Sequence, residues 1–313
     1  MLVFLARRIV AGLVLIVVVS AVTFALIYSD GERIARLILG PDADQAAVVQ
    51  RAQELGLNEP LVVQFFVWFG NLLHGDLGRS LSDHRPVIET LSSRIPVTLA
   101  LVGFTLLVTL IFAVIIGLYS AYKGGWVDSG LRTFGVFGFA TPHFLIAIGL
   151  VVLFALNLKL LPATGYIPPT RSLSGWTLSL VLPVTALAVG TIASASQQVR
   201  GAVLDVMKQD YIRTLRSRGI PLRAVYLRHA LKNASAPGLT TLGMQFVGLL
   251  GGAVVIEQVF ALPGIGSLVI AAALKSDIPI IMGTVLFLVV VVVVVNIIVD
   301  LAIAWANPRS RNR

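Results

Sequence analysis

Residues 205–237 read DVMKQDYIRTLRSRGIPLRAVYLRHALKNASAP, and they are the one long block in the last two thirds of the chain where arginine and lysine crowd together. An apolar segment long enough to cross a bilayer lies on each side of it. Such a block is a basic loop facing one aqueous side. Its punctuation is specific: residues 205–218 include good helix formers, Gly219 supplies a left-handed stop, and Pro221 stands where a second helix begins its first turn. The spacing predicts helix, glycine turn, helix. In the second helix Leu222, Val225 and Tyr226 share a face at i, i+3 and i+4, whereas Arg223, Arg228 and Lys232 lie off it. One face can pack on membrane-helix ends while the other meets water or a partner.

Working outward, composition places the chain in the membrane class. Of 313 residues 57% are hydrophobic and 12% charged, against about 25% charged in soluble domains. The net charge of +9 does not point to nucleic acid, because the basic residues fall mainly in short segments beside apolar spans. With no cysteine, disulfides, thiolate catalysis and cysteine metal sites are excluded, and His74, His84, His143 and His229 lack ligand spacing. No metal site is expected.

Stretches free of Asp, Glu, Lys and Arg define the spans. The first runs from Ile9 to Tyr28; it is read as a retained membrane helix because no clear signal-peptide cleavage site follows. Five more lie between Arg94 and Lys123, Arg132 and Lys159, Arg171 and Arg200, Lys232 and Glu257, and Asp277 and Asp300. The expected fold is therefore an all-α membrane protein with six transmembrane helices. Arg7, Arg8, Lys123, Arg132, the block from Arg200 to Lys232 and the tail Arg309, Arg311 and Arg313 share one side, which predicts that both termini are cytoplasmic.

Between the first two spans, residues 29–94 carry helix punctuation and apolar content. Asp42 or Asp44 can cap a helix through Leu55 that Gly56 ends, and a second helix begins near Pro60 with Leu61, Phe65, Trp68, Phe69 and Leu72. That second helix reads two ways, as lying on the outer membrane surface or as core of an external subdomain. Pro86 and Pro96 bracket a short helix, and Asp76, Arg79 and Asp83 read as surface polar contacts. The organisation expected is a first transmembrane helix in 1–28, an external helical subdomain in 29–94, and a core in 95–313 carrying the remaining spans and the basic loop.

Within that core, Pro142 predicts a kink in the third span, and His143 reads as a packing or interface residue. In the fifth span Gly248 and Gly252 form a GxxxG face, to whose low-volume surface Gly243 and Gly251 add, and it reads either as packing within the chain or as a seam or pathway. Glu257 ends that span. An interfacial carboxylate is a functional candidate, and pairing with Lys275 is its structural alternative. A tight turn follows at Pro263, Gly264 and Gly266, then an amphipathic helix too short to span; its glycines do not complete a nucleotide-binding pattern. No phosphate loop, nucleophile elbow or metal pair appears, and no span holds an internal acid of the kind a proton-coupled carrier uses. If the protein pumps, another subunit supplies the energy. A carrier working alone, a scaffold or intramembrane enzyme, and a merely topogenic basic segment are the competing readings; the last leaves the Gly219 and Pro221 punctuation unexplained.

The segment DYIRTLRSRGIPLRAVYLRHALKN resembles the cytoplasmic coupling loop of ABC importer permeases, with Arg213, Thr214, Leu215 and Gly219 at the positions of the EAA signature and its glycine. Arg213 and Thr214 in place of Glu and Ala resemble the peptide and nickel branch, and Leu215 stands where Ala is usual. GDLGRSL, RPVIETLSSRIPVTLAL, ATPHF, LPATGY, LPVTALAV, GGAVVIEQVFALPGIGSLVIAAALKSDIPI and NIIVDLAIAWANPR are similar to blocks of the B-type permease subunit of dipeptide and oligopeptide importers. The chain departs from that pattern in lacking PGDP around 29–32 and in carrying Ile303 and Asn307 where Tyr and Asp are common.

The resemblance implies the type I ABC importer permease fold in a bacterial inner membrane, a heterodimer with a C-type permease, two ATP-binding subunits or domains, and an external substrate-binding lipoprotein. ATP and Mg would be bound by the partners, and this chain would carry no cofactor and no catalytic residue. The coupling surface would comprise Asp210, Tyr211, Arg213, Thr214, Leu215, Arg218, Gly219 and Pro221. Gln245, Gly248, Gly252, Glu257, Pro263 and Gly264 are the pathway or gate candidates. Short peptides are the expected substrate class, with nickel and glutathione as alternatives within the branch.

Overall fold

A charge-free, mainly apolar run from Ile9 to Tyr28 with no proline forms most of the first element, α1 (Leu2–Tyr28), a helix with many exposed apolar side chains. The computed structural model describes residues 2–40 and 42–306. The tail arginines at 309, 311 and 313 and Asn307 lie outside the described residues. By internal contacts the chain divides into two compact units, one of Leu2–Ile95 with Leu268–Val293 and one of Pro96–Ser267 with Val294 onward.

In the first unit α1 is followed by α2 (Gly31–Leu39), α3 (Gln45–Glu54) and α4 (Leu61–Leu73). The helix α2 was not legible in the sequence. Asp30 caps it by accepting from the Arg33 amide at 2.9 Å, at the point where the family's PGDP is missing. The ends of α3 follow expectation, with Asp44 at its start and Gly56 at φ +67° after its last turn. In α4, Phe65 and Trp68 pack on Phe24 of α1, while Val62, Phe66, Val67 and Leu73 stay exposed.

The loop after α4 is organised by Asp277. Its buried carboxylate accepts from Ser80 Oγ at 2.5 Å, the Leu81 amide at 3.1 Å, and Ser82 through Oγ at 3.0 Å and N at 3.2 Å. Asp76, Arg79 and Asp83 make local contacts with Gly78, His84 and Arg85 at the exposed surface. The Asp83 carboxyl is held below its usual range chiefly by the Arg85 backbone N–H, then by Ser80, with Lys275 contributing through its charge.

Pro86 and Pro96 do not bracket a short helix. A single helix, α5, runs unbroken through Val87–Lys123 with Pro96 inside it. The proline removes one donor, but Val87 and Leu91 are buried before it and Val97, Thr98 and Leu101 after it, and that packing outweighs the loss.

The second unit holds most of α5, then α6 (Gly125–Ala140), α7 (His143–Leu150) with a π-helical continuation Val151–Asn157, α8 (Leu173–Met207), α9 (Asp210–Ser217), α10 (Leu222–Ala224) with a π-helical turn Val225–Ala230, and α11 (Leu231–Val259). The kink expected at Pro142 is a bend of 97° between α6 and α7. Thr141 is extended there, as a residue before proline prefers. α8 is the central helix of the unit: α6, α7 and α11 pack against it, and 56% of its most apolar stretch is buried against 28% for α5. The chain continues through α12 (Ile265–Leu274) and α13 (Ile278–Ala306).

Among the described residues five helices, in α1, α5, α8, α11 and α13, are long and apolar enough to cross a membrane, and the bent α6 and α7 pair makes a sixth. Six candidate spans match the number expected from the sequence.

Candidate functional site

α9 is short because its last turn is closed by a Schellman motif. The Gly219 amide donates to the Arg216 carbonyl at 3.0 Å and the Ile220 amide to the Leu215 carbonyl at 3.3 Å, with Gly219 at φ +78°. Glycine takes that conformation without strain, and a β-branched residue does not. Pro221 then starts α10, and the Ala224 and Val225 amides both donate to its carbonyl.

This geometry sorts the coupling candidates by face. Ile212 is fully buried and Leu215 and Ile220 are half-buried, all against a cluster made of Ala121 from α5, Val203 and Val206 from α8, and Val225, Ala230 and Ala234 leading into α11. Asp210, Tyr211, Arg213, Thr214, Arg218, Gly219 and Pro221 are exposed. Leu215 thus belongs to the inward face, where it and Ile220 are the apolar pair that accompanies this kind of helix stop. Two tyrosines tie the loop down: Asn233 donates to the Tyr211 hydroxyl at 2.9 Å, and Tyr226 donates to the Ala121 carbonyl at 3.2 Å. Burial pushes the Tyr226 phenol above its ordinary pKa. Of the second-helix face, Val225 and Tyr226 pack inward, but Leu222, at the start of α10, is exposed.

Beside the loop lies a polar clamp with no motif to announce it. Asp128 of α6, 5% exposed, is held by both arms of the Arg200 guanidinium from α8, one of them at 2.5 Å, by Ser120 Oγ of α5 at 2.5 Å and by Arg132 at 3.5 Å. In the sequence Arg132 and Arg200 marked only topology; the signal for the clamp was the acid placed near two span-flanking bases.

The pathway candidates separate as well. Glu257 is wholly buried: Thr98 Oγ1 donates to its Oε1 at 2.5 Å and the Ser267 amide to its Oε2 at 2.9 Å, while Thr98 accepts from the Ile265 amide at 2.8 Å. The carboxylate therefore satisfies the opening turn of α12, where unpaired amides favour negative charge. Thr98 and Ser267 are thus partners of the carboxylate within this unit. Gly264 makes this arrangement possible, since a Cβ there would stand 2.1 Å from the Glu257 carboxylate; Pro263 precedes it in the turn.

Gly252 meets Leu187 and the His143 ring, so half of the GxxxG face packs within the chain, whereas Gly248 faces open space. His143 sits between Gly190 and Gly252, as a packing residue would. The side-chain amide of Gln245 is buried and finds no hydrogen-bond partner among the described residues.

Residues 113–312 match the family described as the binding-protein-dependent transport system inner membrane component, and residues 1–102 match the N-terminal region of that membrane component. A peptide transport system permease protein of Brucella abortus is 39% identical over 306 residues, covering 97% of this chain and 98% of the relative. A D,D-dipeptide transport system permease protein of Escherichia coli is 36% identical, covering 95% and 94% respectively, and a glutathione transport system permease protein of Salmonella choleraesuis is 32% identical, covering 99% of each. The chain belongs to the inner membrane components of binding-protein-dependent transport systems. It is a multi-pass permease subunit with the type I ABC importer fold.

Proposed function

We propose that this chain is the B-type half of an ATP-driven importer for short peptides, that both its termini are cytoplasmic, and that α9 is the element through which a separate ATPase moves it. The peptide assignment is supported by the relatives named for peptides and D,D-dipeptides, which are more similar to this chain than the glutathione permease cited beside them. The orientation is supported by the lysines and arginines at the ends of the spans. ATP hydrolysis belongs to the partner subunits, and a C-type permease completes the pathway.

The observation that carries the coupling role is the two-faced build of α9. Its outer face offers Tyr211, Arg213 and Arg218 to a partner, and its inner face is seated in a cluster drawn from α5, α8 and α11. A push on the outer face is transmitted to three membrane helices as a rigid-body displacement rather than absorbed in the loop. The glycine stop and the tyrosine ties keep the lever short.

The test is a reconstituted transporter with Gly219→Val or Arg213→Glu in this chain. Substrate-stimulated ATP hydrolysis and uptake fall together while nucleotide binding by the ATPase stays intact. Full stimulation in both variants overturns the proposal.

A further inference from the structure

At the loop end of the second unit two cavities meet. One, of about 530 Å³, has almost wholly apolar walls from Leu110 and Val114 of α5, Val199 of α8 and Leu242 of α11. Its few polar groups include Thr241 and Gln198, which hydrogen-bond to each other, and Lys232. The other, of about 360 Å³, is lined by Tyr119, Tyr122, Lys123, Arg223 and Tyr226. Leu227 borders both. Each volume falls in the range of small-molecule sites, about 300–1,000 Å³.

The order of chemistry along this surface is that of a lipid. The apolar cavity runs beside the span of α5, and the basic one begins where that helix ends at Lys123. Tyr119 and Tyr122 are exposed there, and Tyr122 meets Tyr226 edge to face at 5.4 Å, forming the kind of amphipathic aromatic rim found at a bilayer surface. Lys123 and Arg223 are both exposed, and neither takes part in an ion pair among the described residues. Two cations over an apolar slot select an anionic headgroup whose acyl chain lies in the slot.

We propose that this paired cavity binds one anionic phospholipid from the leaflet on the loop side, with its phosphate at Lys123 and Arg223 and an acyl chain against Leu110, Val114 and Leu227. Because Tyr226 also ties the loop to α5, the bound lipid would brace the joint between loop and membrane helix. The site stands on cavity shape and charge, and it holds whichever partner the loop docks to.

The test reconstitutes the full chain in phosphatidylcholine nanodiscs carrying a trace of diazirine-bearing phosphatidylglycerol or diazirine-bearing phosphatidylcholine, then maps the labelled peptides by mass spectrometry. Phosphatidylglycerol is expected to label residues 110–119 and 227 about 25-fold more, since Lys123 and Arg223 each contribute on the order of fivefold. Lys123→Gln with Arg223→Gln removes that preference, whereas Lys123→Arg with Arg223→Lys keeps it, which separates charge from misfolding. Leu227→Trp, at an exposed position, lowers labelling at 110–114. Equal labelling by the two lipids, or a preference that survives the paired glutamine variant, overturns the site. So does labelling that disappears when a partner permease is co-reconstituted, because the surface is then a subunit seam.

Discussion

Arg200 of α8 closes on Asp128 of α6 through both guanidinium arms, and Ser120 of α5 donates to the same carboxylate. Three helices are thereby locked by one nearly buried anion close to the end where the basic loop begins. Such a clamp gives directional, bidentate geometry that apolar packing does not.

Asp128→Asn is expected to lower stability by about 3 kcal/mol, the lower end for breaking a buried pair because Arg200 keeps some solvent contact. Thermal unfolding of the purified protein checks it. Combining Asp128→Ala with Arg200→Ala should cost less than the sum of the single changes, because neither group is then left alone.

Gly219→Asn should be tolerated and Gly219→Val should not. Asparagine enters the left-handed region at little cost, whereas a β-branched residue at φ +78° adds roughly 1–2 kcal/mol of strain and reshapes the stop of α9. Substrate-stimulated ATP hydrolysis in the reconstituted complex distinguishes them, with the asparagine variant near normal and the valine variant several-fold reduced.

Opposite faces of α9 should respond differently. Leu215→Ala removes half-buried packing and is expected to cost about 1–2 kcal/mol, below the range for fully buried leucines. Arg213→Glu, on the exposed face, should change stability by no more than about 0.5 kcal/mol yet weaken association with the ATPase. Melting temperature and co-purification of the ATPase, measured on both variants, separate the two roles.

At the start of α12, Glu257→Gln keeps one acceptor oxygen, for the Ser267 amide, while its NH2 group faces Thr98 Oγ1, and it is expected to fold with less damage than Glu257→Ala. Glu257→Ala strands both donors and should cost about 2–4 kcal/mol. Gly264→Ala is expected to be at least as damaging, because its methyl group lands on the carboxylate. Yield of folded protein by gel filtration ranks the three, and a Gln variant as damaged as Ala would remove the capping role.

Much of this was legible in the chain. Charge-free runs of twenty or more residues locate the spans because a bilayer core tolerates few ions, and Gly219 with Pro221 announces helix, turn and helix because backbone sterics are local. The same local rules misjudged Pro86 to Pro96, where packing on both sides of Pro96 carries α5 through the proline. They also did not show the 97° bend at Thr141 and Pro142, whose size depends on neighbouring helices.

By itself, then, the sequence determined membrane class, span positions, the loop's punctuation and the family likeness, all of which follow from composition and short-range geometry. Only the tertiary structure decided which way each candidate faces: Leu215 inward and Arg213 outward, Glu257 onto the α12 amides, Asp128 into the arms of Arg200. Those outcomes depend on which side chains distant in sequence share a buried volume, where each polar group must find a partner, and residue spacing along one chain carries no record of that.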